Sequence, residues 1–126
     1  MRYLSYPEAV LLHLELMQRL GEQRYGVFER TLIESALARP QQAAAYEGAD
    51  RHRQAATLCY GLIKNHPWTG GNKRTATYLT RIFMKRNGWQ IQSNPAERVA
   101  LVLAIEADQL TMDEIEHWYR AHSRQR

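Results

Sequence analysis

The sequence is short of several things, and each shortage removes a class of protein. It has one cysteine, Cys59, among 126 residues. No disulfide can close within the chain, and a reducing compartment, the cytoplasm, is the expected home. No apolar run approaches the roughly 20 residues that a membrane-spanning helix needs. The opening MRYLSYPEAVLLHLELM carries acids and has no small-residue cleavage site, so it reads as part of the fold rather than a leader. Convincing strand alternation is missing. The most informative gap is in charge: no Asp or Glu lies between Arg51 and Ala96, and all thirteen acids fall in the two flanks. The same stretch holds Arg51, Arg53, Lys64, Lys73, Arg74, Arg81, Lys85 and Arg86. A positive block inside a negative frame points to an anionic partner: nucleotide phosphates, nucleic acid or an acidic protein. A solvated basic face is the plain alternative.

What is present is helical periodicity, over a length that suits one domain spanning 1–126. Pro7 opens a first helix with Ala9/Val10, Leu12/His13/Leu14 and Leu16/Met17/Leu20 at helical spacing. Residues 21–26 read as a loop. A short helix is predicted over 29–38, ended by Pro40, with the following QQAAAYEGAD irregular. Asp50 caps a helix to about Asn65 whose apolar face is Ala55, Leu58, Cys59, Leu62 and Ile63. Asn72 is expected to cap the next helix, with Ala76, Leu79, Ile82 and Phe83 inward and Arg74, Thr77, Arg81 and Lys85 opposite, stopped by Asn87-Gly88. WQIQ reads as a short extended piece. Pro95 starts a helix to about Ala107, and Thr111 with Glu114 forms a capping-box start for the last. The class is all-α. Cys59 reads as a buried, inert thiol; His117 and His122 read as surface residues.

Residues 65–76, NHPWTGGNKRTA, carry the chemistry. His66 precedes a proline, which pushes it out of the α region and ends the helix there. It continues the apolar face four positions after Leu62, so the spacing predicts an inward-facing ring. Gly70 and Gly71 permit a tight turn and close backbone approach. Lys73 and Arg74 sit at the start of a helix, the end where the dipole disfavours cations by about 0.3–1 kcal/mol each. An anion bound there resolves the conflict, because unpaired amides, dipole and both cations then point one way. The spacing is not that of a Walker A loop, and the histidines have no zinc spacing. A His beside a phosphate cradle suits transfer of a phosphate-containing group to a hydroxyl, with the His as general base.

The stretch resembles the signature of the Fic/Doc superfamily, and within it the short Doc (death-on-curing) branch. That signature reads His-x-Phe-x-Asp/Glu-Gly-Asn, then Gly or Lys, then Arg, with Lys the Doc-type choice. YPEAVLLH, LIESALARPQ, LCYGLIKNHP and FMKRNGW are also similar to the branch, so the likeness covers most of the chain. The resemblance implies a Fic fold: a compact bundle of about six helices, with the active-site loop between two central ones. It implies a toxin that transfers the γ-phosphate of ATP to a hydroxyl of elongation factor Tu and so stops translation. His66 would be the base, Gly71, Asn72, Lys73 and Arg74 the phosphate contacts, and Trp68 a core anchor in place of the usual Phe. No self-inhibitory Ser/Thr-x-x-x-Glu-Gly/Asn helix occurs, so a separate antitoxin is the implied partner, docking on the basic block; neither membrane nor nucleic acid is expected.

One departure bears on the chemistry. Gly70 stands where the family has an acid, the residue that helps to hold Mg²⁺ against the phosphates. Restoring Asp at 70 is expected to raise transfer rate or Mg²⁺ affinity, unless a carboxylate such as Glu47 or Asp50 folds back. Two other readings stand beside the kinase: AMP transfer of the Fic type, and a Fic-fold binding module impaired in catalysis by the loss of that acid.

Overall fold

The computed structural model describes residues 1–126, and the chain forms six helices and a two-stranded ribbon. Helix α1 (Tyr6–Leu20) begins with a capping box: Ser5 Oγ accepts the Glu8 amide, and the Glu8 carboxylate accepts the Ser5 amide. Helices α2 (Arg30–Glu47), α3 (Arg51–Asn65) and α4 (Asn72–Arg86) follow, then strand β1 (Trp89–Ile91), α5 (Pro95–Glu106), α6 (Met112–Ala121) and strand β2 (Ser123–Gln125). Asn94 with Glu97 and Thr111 with Glu114 make capping boxes at the starts of α5 and α6.

Helix α3 is the axis of the bundle. Helices α2, α4, α5 and α6 all pack on it. Its apolar stripe is buried, and so are His52, Gln54, Ala56, Thr57 and Gly61. Gly61 earns its place by contact: an added Cβ would meet Arg39 Cδ at 2.6 Å and Ala36 Cα at 3.4 Å, so α2 and α3 approach closely there. Cys59 is fully buried beside Tyr119 and Thr80, and burial pushes its thiol up to about 11. Full burial of the core leucines, isoleucines and Phe83 contributes about 1.5–3 kcal/mol each.

Two sequence expectations are corrected. Pro40 does not end α2; the helix continues seven residues further, to Glu47. Pro40 and Ala43 are buried on the same side as Ile33, Ala36 and Leu37, and that packing offsets the hydrogen bond the proline removes. Gly48, at φ 65°, ends the helix instead. The WQIQ segment is extended as expected, and its partner is a strand that no pattern announced: β1 pairs antiparallel with β2, Trp89 opposite Gln125. His122, read as a surface residue, is half-buried at the end of α6; its ring stacks on Trp118 at 4.0 Å, and Nε2 lies 3.0 Å from Glu97 Oε2.

Four of the eight cations in the positive middle of the chain are paired with acids of the flanks. Arg53 meets Glu47, Asp113 and Glu116; Lys64 meets Asp108; Lys73 meets Glu106; Arg86 meets Glu8. Arg74, Arg81 and Lys85, on the outer face of α4, are left without an acid. The tryptophans offer no stacking platform: Trp68 is in the core, and Arg51 covers a face of Trp89. No helix is long and apolar enough to cross a membrane.

Candidate active site

The loop between α3 and α4 is held from three sides. Asn65 Nδ2 donates to Leu32 O at 2.9 Å, fixing the end of α3 on α2. His66 then takes a left-handed conformation, φ 50°, ahead of Pro67. That turn breaks the helical spacing, and the ring, expected to face inward, is exposed instead. Pro67 and Trp68 are buried. Pro67 O accepts the amides of Phe28 and Glu29 at 3.0 and 3.3 Å, and Thr69 N–H donates to Gly26 O at 2.9 Å. Val27 and Trp68 thus form an antiparallel bridge that stitches the α1–α2 loop onto the motif.

His13 is the hidden support. It is fully buried in α1, face to face with Trp68 at 4.0 Å between ring centres. Its Nε2 accepts the Gly26 amide at 3.0 Å, so the ring proton sits on Nδ1 and is donated to Thr75 Oγ1 at 2.8 Å. Burial holds its pKa down to about 4, so the ring is neutral at pH 7. One side chain therefore joins α1, the 21–29 loop, α4 and the motif tryptophan. The sequence signal was a His at the i+4 spacing between Ala9 and Met17, both buried.

Asn72 was expected as the cap of α4; Gly71 takes that position in a left-handed conformation, φ 70°, without a side-chain bond. The buried Asn72 side chain turns back on the loop. Its Oδ1 accepts Trp68 N–H at 2.9 Å and its Nδ2 donates to Trp68 O at 2.9 Å. Nδ2 also faces His66 Nδ1 at 3.3 Å. Because the two Trp68 contacts fix the amide's orientation, Nδ2 is the donor and His66 Nδ1 carries the lone pair. The α4 ladder begins with Thr75 N–H to Gly71 O at 2.9 Å, which leaves the amides of Asn72, Lys73 and Arg74 ahead of it. Arg74 is exposed and free of acids; Lys73 Nζ lies 3.4 Å from Glu106 Oε1. The loop thus gathers His66, Asn72, three unpaired amides and Arg74 at one helix start, with Lys73 drawn toward α5.

A resident Mg²⁺ does not fit these residues. No group of three His, Cys, Asp or Glu able to hold a metal by itself occurs anywhere in the chain, so a Mg²⁺ carried by the nucleotide would still need a carboxylate at the loop. Asp50 caps the start of α3 and pairs with Arg120, and Glu47 pairs with Arg53; both are a whole helix, about 22 Å, from His66. Glu106 does fold back to the motif, but it is engaged by Lys73. At position 70 itself an added Cβ would run into the Arg24 carbonyl oxygen, with the carbonyl carbon at 3.0 Å and Arg24 Cβ at 3.2 Å. The expectation that Asp at 70 restores function is therefore reversed. Gly70→Asp is expected to displace the 21–29 loop, strain its Gly26–Thr69 bond and cost about 1–3 kcal/mol, with no gain in Mg²⁺ affinity. Thermal unfolding checks this; an unchanged melting temperature would contradict it.

A helical bundle whose third helix ends in this His-Pro-Trp turn and whose fourth opens on Gly-Asn-Lys-Arg is the arrangement of Fic proteins, and the family model described as Fic/DOC matches residues 3–84. The chain belongs to the Fic/DOC family and, within it, to the Doc branch. It is 31% identical over 96 residues to a protein named protein kinase doc from Escherichia phage P1, covering 75% of each chain. It is 37% identical over 67 residues to a toxin Doc from Mycolicibacterium smegmatis, half of each chain. Among solved structures it resembles the N-terminal Fic domain of a VirB-translocated Bep effector of Bartonella quintana, determined with bound ADP (TM-score 0.50, 16% identity). The match covers 75% of this chain and 48% of that one.

Proposed function

We propose that this chain is a Doc-like toxin that moves the γ-phosphate of ATP onto a hydroxyl of a target protein, elongation factor Tu, and is restrained by a separate antitoxin. The observation that carries the reading is the His66–Asn72 pair: a base nitrogen with its lone pair fixed, at the edge of a helix start rich in unpaired amides. In this scheme the target hydroxyl gives its proton to His66 Nδ1, displacing the Asn72 contact. The oxygen forms a bond to the γ-phosphorus while the bond to the β-phosphate oxygen breaks, and ADP leaves. The amides of Asn72, Lys73 and Arg74, with the Arg74 guanidinium, neutralise the phosphate oxygens. Gly71 keeps the backbone close to them, and Trp68 anchors the loop. The relative named a protein kinase supports phosphate transfer as the chemistry.

AMP transfer is the second reading, and one contact favours it. Glu106 draws the Lys73 side chain toward α5, so the cation that marks the Doc-type motif is held off the phosphate site. For the antitoxin, the surface offered is a cavity of about 520 Å³ between α1, α4, α5 and α6. Leu20, Val99 and Leu103 supply apolar wall, and Arg74, Arg81 and Arg98 supply charge, which suits an acidic amphipathic helix.

Incubating the purified chain with cell extract and either γ- or α-labelled ATP separates these readings. Label from the γ position alone, on a band the size of elongation factor Tu, is the expected result. Label from the α position would move the assignment to nucleotidyl transfer. No label from either, with folded protein, would leave a Fic-fold binding module.

A further inference from the structure

Gly70 and Arg24 form a pair that the motif alone does not disclose. The space a side chain at 70 would enter is filled by the main chain of Arg24, and the Arg24 side chain leaves its backbone 3.2 Å from the point where one at 70 would begin. This neighbour is held in place: Gly26 bonds both Thr69 and His13, and Phe28 bonds Pro67, so the loop carrying Arg24 is fastened to the motif on its far side. Many of the chain's arginines are occupied, and of those that are not, Arg74 already belongs to the motif while Arg2 and Arg124 lie near the chain termini. Arg30, Arg53, Arg86 and Arg120 meet acids, and Arg19, Arg39, Arg51 and Arg81 lie over aromatic rings. Arg24 is exposed and has no ion pair, hydrogen bond or ring contact.

The charge arithmetic gives this juxtaposition a meaning. A carboxylate holding a divalent cation adds one net positive charge beside the phosphates; a glycine next to an arginine adds the same. The guanidinium also presents a planar fork of donors that matches phosphate oxygens. A carboxylate at 70 would be misplaced in such a site, because it would pair with Arg24 and cancel it. Glycine at 70 and arginine at 24 are therefore consistent with each other, whereas glycine at 70 is hard to reconcile with a metal.

We propose that Arg24 takes the place of the metal ion in this protein, holding the nucleotide's phosphates from the Gly70 side so that ATP binds without Mg²⁺. The inference rests on the nucleotide-transfer reading above and goes beyond it, since it names a phosphate ligand outside the motif and removes the metal requirement. ATP is the probe, titrated calorimetrically into the intact chain in Mg²⁺ and again in EDTA, with Arg24→Gln and Arg24→Lys beside it. Residue 24 is exposed, so both variants should keep the parent melting temperature. The expected result is an ATP Kd in EDTA within about threefold of that in Mg²⁺, about tenfold weaker binding by Arg24→Gln in both buffers, and partial recovery by Arg24→Lys, which restores the charge but not the fork. ATP binding that collapses in EDTA, or that is untouched by Arg24→Gln, overturns the role of Arg24 while leaving the nucleotide reading in place. Folded parent protein that binds no ATP in either buffer overturns both.

Discussion

Replacing His66 by alanine is expected to lower label transfer from ATP by about 10²–10⁴-fold while leaving ATP affinity and melting temperature close to the parent values. The reason is positional. The ring is exposed at the end of α3 and contributes nothing to the core, so its removal leaves no cavity. It is not a phosphate ligand in the scheme above, so binding persists. Asn72→Ala is the informative companion. Asn72 is buried and spans Trp68 N–H, Trp68 O and His66 Nδ1, so its loss leaves the loop's backbone groups unpaired. That variant should lose both transfer and stability. Rates from single-turnover transfer, set beside melting curves, separate the two behaviours. A His66→Ala protein that still transfers at the parent rate would remove His66 from the chemistry.

Acidification should unlock the same loop from behind. Burial holds the His13 pKa at about 4, against an ordinary value of 6.5, so the folded state refuses a proton that the unfolded chain accepts. The stability this ring contributes is complete above pH 6.5 and is lost as the pH falls from 6.5 toward 4, a loss of about 3 kcal/mol. His52 adds to the same window, because burial and then the Arg120 charge lower its pKa as well. The lowered carboxyl of Asp50, whose burial is outweighed by the Arg53 amide and Arg120, acts only at more acidic pH. Denaturant unfolding across this range, for the parent and for His13→Gln, isolates the first contribution. Between pH 6.5 and 4 the variant should lose about 3 kcal/mol less stability than the parent; an identical loss would mean that His13 is not the responsible group.

Much of the bundle is legible in the sequence because its signals are local. Asp50, Thr111 with Glu114, and Asn87-Gly88 mark helix ends by chemistry that acts within one turn. The inward faces of α3 and α4 follow from spacing alone, Ile82 excepted, which is only half-buried. The misses are tertiary. Pro40 is tolerated because α3 covers it, and β2 exists because β1 lies beside it. At the site, the motif places its own residues in sequence, but the turn at His66 reverses the direction read from periodicity. Arg24 and His13 are some fifty residues from the motif and carry no pattern that links them to it. The packing of α1 against α4 brings His13 there, and the backbone stitching of the α1–α2 loop brings Arg24.

The lone thiol turns the core into its own clock. Cys59 has no exposed surface and is held far from its thiolate form, so an alkylating reagent reaches it only when α3 parts from α4 and α6. Its labelling rate in native buffer therefore counts openings of the central helix directly. With no second cysteine in the chain to confuse the signal, each variant named above can be compared on that count without a denaturant.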